Sequence, residues 1–169
     1  MNLDVIDRIR NSPLTAHLTE GLNTIPATLS RMALGWGFYW TGSGKMKNIE
    51  PVIEFFRGLH IPYPEYQAPF VARLEYYGAW LLMLGLFTRP VAFLLACTMI
   101  VALMTADRTD FLDTWNSASE KMPVETVAFS YLMLLLWLAV RGGGWLSVDA
   151  ILGYIYGKLR GSRVEPAGD

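Results

Sequence analysis

The stretch from Val71 to Arg89 constrains the fold of this chain more than any other segment. It is apolar and long enough to cross a membrane as a helix, yet it carries Arg73 and Glu75 in its first turns. A charged side chain at the centre of a bilayer costs about 2.5–3.5 kcal/mol on insertion scales, so such residues normally face polar partners. We therefore expect neighbouring helices to surround this segment and supply counter-charges.

Composition points to lipid as the solvent of the folded chain. Hydrophobic residues make up 53% of the 169 residues and charged residues 17%, and the mean hydropathy is +0.30. A soluble domain carries about 25% charged residues. The apolar residues are grouped in blocks, which predicts an all-α fold: an up-down-up-down four-helix transmembrane bundle with flanking interfacial amphipathic helices.

Four apolar segments are predicted to cross the bilayer, at about 27–46, 69–87, 91–106 and 124–140. Twenty helical residues cover a hydrocarbon core of about 30 Å. Together they define a membrane domain over 27–141. Residues 1–26 predict a cytoplasmic, interfacial amphipathic segment, and 142–169 an interfacial helix with a short tail. Residues 51–59 predict a short helix, and 107–123 a polar loop.

Basic residues near the ends of the spans predict the orientation, since they are enriched on the cytoplasmic side. With four spans, one side holds Arg8, Arg10, Arg89, Arg141, Lys158, Arg160 and Arg163. The other side holds Lys45, Lys47, Arg57, Arg108 and Lys121. This asymmetry predicts a multi-pass protein of a bacterial-type inner (plasma) membrane with both termini in the cytoplasm. No cleavable signal is visible, so the first span is expected to direct insertion.

Several function classes are excluded by what the chain lacks. A net charge of −1 gives no electrostatic basis for binding nucleic acid. The single cysteine, Cys97, allows neither an intramolecular disulfide nor a CxxC pair. Both histidines, His17 and His60, lie outside the predicted spans, which argues against haem or another metal held within the bundle. We expect no metal site and no intrinsic cofactor.

Four charged residues form a candidate buried polar site: Arg31, Lys45, Arg73 and Glu75. They have two interpretations, which the sequence leaves open. They could form salt bridges that fix the helix register, or they could bind a proton or an anionic substrate. No catalytic residue can be assigned.

The depths of these residues predict which of them pair. With the first span running outward from Ala27 and the second inward from Pro69, Glu75 lies about 7 Å from Lys45 along the bundle axis but about 15 Å from Arg31. The sequence therefore predicts a buried Lys45–Glu75 pair, while Arg73 either competes for the carboxylate or extends towards lipid headgroups.

An aromatic set on the first two spans forms a candidate quinone pocket: Trp36, Tyr39, Trp40, Tyr76, Tyr77 and Trp80. Flat rings of this kind could enclose a quinone ring. The favoured alternative is ordinary packing and anchoring, because tyrosine and tryptophan are common at membrane interfaces.

Several pieces of the sequence together resemble the DoxX family of small four-helix membrane proteins. They are Arg31, Gly42-x-x-Lys45, a proline-bearing loop, Glu75, Leu84-Gly-Leu-Phe-Thr-Arg89 and Gly144-Trp-Leu-Ser-Val-Asp149. The resemblance covers roughly residues 28–152. Many relatives have a histidine at the start of the fourth span, where this chain has Val124-Glu125.

The resemblance implies a place in membrane redox complexes. The family is named after a small subunit associated with a terminal quinol oxidase and with thiosulfate:quinone oxidoreductase, and distant eukaryotic relatives act as chaperones or cargo receptors. We expect an accessory or quinone-associated subunit of a membrane oxidoreductase complex, with a protein partner and with a homo-oligomer left open. The alternative is a non-redox membrane scaffold or chaperone. A small-solute transporter is less favoured, because no inverted repeat is evident.

Overall fold

The computed structural model describes residues 13–115 and 122–161, and all regular structure in these ranges is helical, which confirms the all-α class. The helices are α1 (Pro13–Lys47), α2 (Glu50–Gly58), α3 (Pro64–Leu84), α4 (Thr88–Met104), α5 (Arg108–Trp115), a 3-10 turn (Pro123–Glu125), α6 (Val127–Arg141) and α7 (Val148–Gly161). Within the described ranges, no helix combines the length and the apolarity that a membrane crossing requires.

Helix α1 is longer than the sequence indicates. It runs for 35 residues and contains Pro26 in its interior, at the point where an amphipathic segment was predicted to end and the first span to begin. An interior proline removes one backbone hydrogen bond and costs about 3 kcal/mol. The helix nevertheless continues through Pro26, so α1 is one uninterrupted helix. Residues 1–12 of the predicted amphipathic segment lie outside the described ranges.

The four long helices pair in an antiparallel manner. Gly42 lies beside Tyr76 and Gly35 beside Met83, so α1 and α3 run in opposite directions. Gly142, directly after the end of α6, lies beside Arg89 at the start of α4. Helices α4 and α6 therefore also run in opposite directions. Contacts of α3 with α4 and of α1 with α6 close the bundle.

The core is formed where the four helices meet. Its largest fully buried apolar side chains are Leu34, Phe38, Leu82, Leu95, Leu135 and Leu138. Small residues on α3 and α4, including Ala79 and Ala92, are also fully buried. Small side chains let helices approach closely, and this fixes the register in which the charged residues meet.

Two segments outside the bundle test the predicted connections. The short helix expected at 51–59 is present as α2. The prediction of a polar loop over 107–123 is wrong for its first half, because helix α5 forms there. Phe111 of α5 packs on Phe129 of α6, with ring centroids 5.7 Å apart. Residues 116–121 lie outside the described ranges, as does the predicted tail from residue 162.

The helix predicted within residues 142–169 is present as α7, and Ser147 caps its start. Ser147 Oγ accepts a hydrogen bond of 3.2 Å from Ala150 N, which is the capping contact that a serine before a helix provides. Ser147 itself is buried, with 4% exposure. The start of α7 is therefore held against the end of the bundle.

Candidate functional site

Lys45 and Glu75 meet at one end of the bundle, which we call the lysine end. Lys45 Nζ donates a hydrogen bond of 2.6 Å to Glu75 Oε1. The side chain of Glu75 is 3% exposed and that of Lys45 31%. Glu75 Oε2 is buried and has no hydrogen-bond partner among the described residues. The contact expected from helix depth is present, and it leaves one carboxylate oxygen unsatisfied.

The close approach of α1 and α3 makes this pair possible. A Cβ atom placed on Gly42 would lie 2.5 Å from Tyr76 N, so the two backbones touch at that point. Lys45 follows Gly42 by three residues, which places both on the same face of α1. The lysine side chain therefore reaches Glu75 directly.

A cavity of about 300 Å³ opens beside the ion pair, between α2, α3 and α4. Its lining is mostly apolar: Phe55, Phe56, Leu59, Ile61, Phe70, Val71, Leu74, Leu94, Cys97, Met99, Val101, Ala102 and Ala106. Its polar lining residues are Lys45, Gln67, Glu75, Thr98 and Thr105. An apolar cleft with a few polar groups is the usual form of a small-molecule site.

The loop between α2 and α3 is fixed by two polar contacts. Arg57 Nη2 donates to Glu65 Oε1 at 2.8 Å, and Gln67 Nε2 donates to Pro62 O at 2.7 Å. The hydrogen bond from Arg57 lowers the pKa of the exposed Glu65 below its ordinary value. These contacts hold α2 and its phenylalanines in place along the cavity.

Arg31 lies at the opposite end of the bundle, which we call the arginine end. It is 14 positions before Lys45 on α1, or about 21 Å along the helix axis. Arg31 is fully buried, and its Nη2 donates to Leu146 O at 2.6 Å and to Thr28 Oγ1 at 3.4 Å. The predicted polar residues therefore do not form a single site.

Arg73 does not belong to the buried site either. It is exposed, although it lies only two positions before the buried Glu75 on α3. Two helical positions correspond to a rotation of about 200°, so the two side chains leave the helix on nearly opposite sides. Arg73 therefore does not compete for the buried carboxylate, and its extension towards lipid headgroups stays a prediction.

The six predicted aromatic residues are brought together, but as a surface cluster. Ring centroids of Tyr39 lie 5.7 Å from those of Tyr76 and 5.6 Å from Trp80. Further contacts join Trp36 to Trp40 at 6.0 Å and Tyr76 to Tyr77 at 5.3 Å. Trp36, Trp40, Tyr77 and Trp80 are exposed, and none of the six lines the cavity at the lysine end. We call this set the aromatic cluster; quinone binding by these six residues stays a prediction, and they lie apart from the cavity at the lysine end.

The arginine end contains an arrangement that the sequence does not reveal. Asp149 Oδ1 accepts from Phe87 N at 2.8 Å, and Oδ2 accepts from Thr88 N at 2.9 Å, so this carboxylate caps the start of α4. A second, more open cavity of about 400 Å³ lies here, lined by residues that include Arg89, Arg141 and Asp149.

Metal ligation finds no support in the geometry of the described residues. Within 13–115 and 122–161, no three histidine, cysteine, aspartate or glutamate residues are grouped as metal ligands would be. The expectation that the chain carries no metal remains a prediction.

Comparison with known proteins agrees with the resemblance seen in the sequence. The DoxX family model matches residues 27–108. The chain is 30% identical over 128 residues to the "Putative oxidoreductase CatD" of Bacillus subtilis (strain 168), which covers 74% of this chain and 85% of the relative. No solved structure matches. The buried Lys45–Glu75 pair and Arg31 lie within or beside the matched region, and the chain belongs to the DoxX family.

Proposed function

We propose that this chain is a membrane-embedded accessory subunit of an oxidoreductase complex, and that it holds a quinone or quinol ring in the cavity at the lysine end. The observation that carries the proposal is the buried Oε2 atom of Glu75, which lacks a hydrogen-bond donor among the described residues. A buried acceptor without a partner costs about 1–3 kcal/mol, more when charged. A ring hydroxyl would supply the missing donor.

The chemistry of the cavity suits such a ligand. Phe55, Phe56 and Phe70 provide flat apolar walls, and Lys45 and Glu75 provide one donor and one acceptor at the same wall. A quinol offers hydroxyl donors to Glu75, and a quinone offers a carbonyl acceptor to Lys45. The pair can therefore bind both forms of the ring: Glu75 would accept from the quinol, and Lys45 would donate to the quinone.

The distribution of polar and apolar side chains supports a membrane setting. Arg31 and Glu75 are buried inside the bundle, while Phe93, Ile100 and Met104 of α4 are 41–69% exposed. Val140 of α6 is 79% exposed. Soluble proteins rarely leave such large apolar surfaces open to water. Lipid would cover the apolar surface, whereas the charged residues would stay paired away from it.

The similarity to a relative named as an oxidoreductase supports a redox setting. The quinone ligand and the place in a complex are our proposal, and they rest on the cavity. Glu75 Oε2 would accept the two hydroxyl protons of a bound quinol one after the other and release each to solvent, while the two electrons would pass to a redox centre of a partner subunit.

Binding of a short-chain benzoquinol to the purified full-length protein tests this proposal. We expect Glu75→Gln to weaken binding about tenfold or more, because the charged acceptor of the hydroxyl proton is lost. Isothermal titration calorimetry in detergent measures the dissociation constant. Arg73→Gln is the matched control on the same helix, and it is expected to bind as the wild type does, since Arg73 is exposed.

A second variant shows whether the quinol binds in the cavity or at the aromatic cluster. Trp80→Leu should leave quinol binding unchanged, because Trp80 lies outside the cavity lining. If Trp80→Leu abolished binding and Glu75→Gln did not, the ring would bind at the aromatic cluster and the cavity proposal would fail.

A non-redox scaffold is the second candidate, and the aromatic cluster is the observation that favours it. Exposed tryptophan and tyrosine side chains are typical anchors of protein interfaces. Purification from the native membrane distinguishes the two functions. Recovery of one defined redox partner supports the accessory subunit, whereas recovery of many unrelated clients without a redox protein supports the scaffold.

A further inference from the structure

We propose that the arginine end binds a phosphate group in the 400 Å³ cavity, held by the guanidinium groups of Arg89 and Arg141. This site lies at the opposite end of the bundle from the quinone cavity. It does not depend on the function proposed there.

The two arginines are available to a ligand. Both are exposed, and neither forms an ion pair with any of the carboxylates whose side chains the structure describes. Arg89 Nε lies 3.2 Å from the position that a Cβ atom on Gly142 would occupy. The missing side chain at 142 therefore lets the Arg89 guanidinium lie over the backbone next to Arg141.

Asp149 also lines the cavity, but it does not cancel this charge. Its two carboxylate oxygens accept hydrogen bonds from Phe87 N and Thr88 N, at the N-terminal end of α4. The partial positive charge of that helix end offsets part of the carboxylate charge. Two arginines against one engaged carboxylate leave the cavity positive.

Phosphate is the anion that best fits this arrangement. A guanidinium presents a planar fork of donors that matches two phosphate oxygens, and two such forks can hold one phosphate group. The phosphate could belong to a phospholipid headgroup or be free in solution. Exposed Phe87, Trp145 and Leu146 lie at the same end of the bundle, at 57–70% exposure, where they could enter the lipid beside a headgroup.

Arginine footprinting on the unaltered full-length protein tests the proposal. Phenylglyoxal modification is mapped by peptide mass spectrometry with inorganic phosphate, with phosphatidylglycerol vesicles, and with galactosyl-diacylglycerol vesicles, which contain no phosphate. We expect Arg89 and Arg141 to be protected several-fold by a phosphate-bearing probe and not by the glycolipid. Arg108, exposed at the opposite end, is the internal control and should react equally throughout.

A pair of variants gives an independent measurement. Arg89→Gln with Arg141→Gln should weaken binding of the protecting probe about tenfold or more, and Arg108→Gln should not. Protection by phosphatidylglycerol alone identifies a lipid headgroup, protection by inorganic phosphate alone identifies a free phosphate, and protection by both means that the site accepts either. Absence of protection by both probes, equal protection of Arg108, or unchanged binding by the double variant would overturn the proposal.

Discussion

Lys45 donates a 2.6 Å hydrogen bond to Glu75, a residue 30 positions later in the chain, and this contact joins the end of α1 to the middle of α3. Only one carboxylate oxygen takes part, and the other faces no donor among the described residues. The pair thus stabilises the helix interface and keeps one acceptor beside a cavity. The structural contact uses Oε1, whereas the proposed binding contact uses Oε2.

The first prediction concerns the strength of this pair. Lys45→Met and Glu75→Gln should each destabilise the protein, towards the lower end of the about 3–5 kcal/mol lost when a buried pair is broken, since Lys45 is partly exposed. The double variant should lose less than the sum of the two. Thermal and chemical unfolding in detergent measures the coupling. Strictly additive losses would mean that the two side chains do not interact in solution.

The second prediction tests the backbone contact of α1 and α3. Gly42→Ala should destabilise the protein by about 1–3 kcal/mol, because the new methyl group meets Tyr76 N, a backbone atom that cannot move aside. Gly44→Ala is the matched control on the same helix. Its Cβ atom meets nothing within 4 Å, so it should raise stability by up to about 1 kcal/mol through helix propensity. Equal effects of the two substitutions would contradict the close approach.

The third prediction concerns the cap on α4. Asp149→Ala removes both acceptors of Phe87 N and Thr88 N and should cost about 1–2 kcal/mol of unfolding free energy. Hydrogen exchange at the amides of residues 87 and 88 should accelerate at the same time. Asp113→Ala, at an exposed position of α5, should change stability by no more than about 0.5 kcal/mol. Unchanged amide exchange in Asp149→Ala would show that the cap does not form.

The fourth prediction follows from the ion pair of Arg57 and Glu65. Because the pKa of Glu65 is lowered in the folded chain, its contribution to stability is present above the ordinary value of 4.5 and is lost as the pH falls through the folded pKa. Arg57→Gln should raise the pKa of Glu65 towards 4.5 and weaken this acid dependence. Carboxyl-carbon NMR titration measures the shift. A pKa that does not respond to Arg57→Gln would show that the pair is absent in solution.

The fifth prediction concerns the proposed orientation in the membrane. In a Cys97→Ala background, Lys47→Cys and Glu120→Cys should react with a membrane-impermeant thiol reagent in intact cells. Arg160→Cys should react only after the cells are opened, because both termini are predicted to be cytoplasmic. Labelling of residue 160 but not of residue 47 in intact cells would show that the protein has the opposite orientation in the membrane.

The sequence predicted best what helix geometry alone determines. The rise per residue is constant, so the depths of Lys45, Glu75 and Arg31 followed from approximate helix ends, and the pairing of Lys45 with Glu75 did not require their side-chain positions. Depth alone left two alternatives open for Arg73, and rotation about the helix axis decides between them. A two-residue offset keeps nearly the same depth but turns the Arg73 side chain away from the buried Glu75.

Features that depend on tertiary contacts could not be predicted in this way. The boundary predicted between residues 26 and 27 is absent, because α1 continues through Pro26, and local rules give the cost of an interior proline but not whether the helix tolerates it. The cap that Asp149 places on α4 joins residues more than 60 positions apart. In the sequence, Asp149 stands in the first turn of α7, and no local pattern connects it with α4. The cavity depends on where α2 folds over α3 and α4. No pattern in the sequence determines how far α2 lies from α3 and α4.

The packing around Arg31 leaves little freedom for evolutionary change at position 85. A Cβ atom on Gly85 would overlap Arg31 Nη1 and would lie 2.6 Å from Ser147 Cβ, and the backbone of Gly85 has a φ of +69°. Shortening Arg31 alone would not open this position, because Ser147 and the left-handed backbone would still disfavour any residue but glycine. A lineage that replaced Gly85 would therefore have to change the turn after α3 and the start of α7 together.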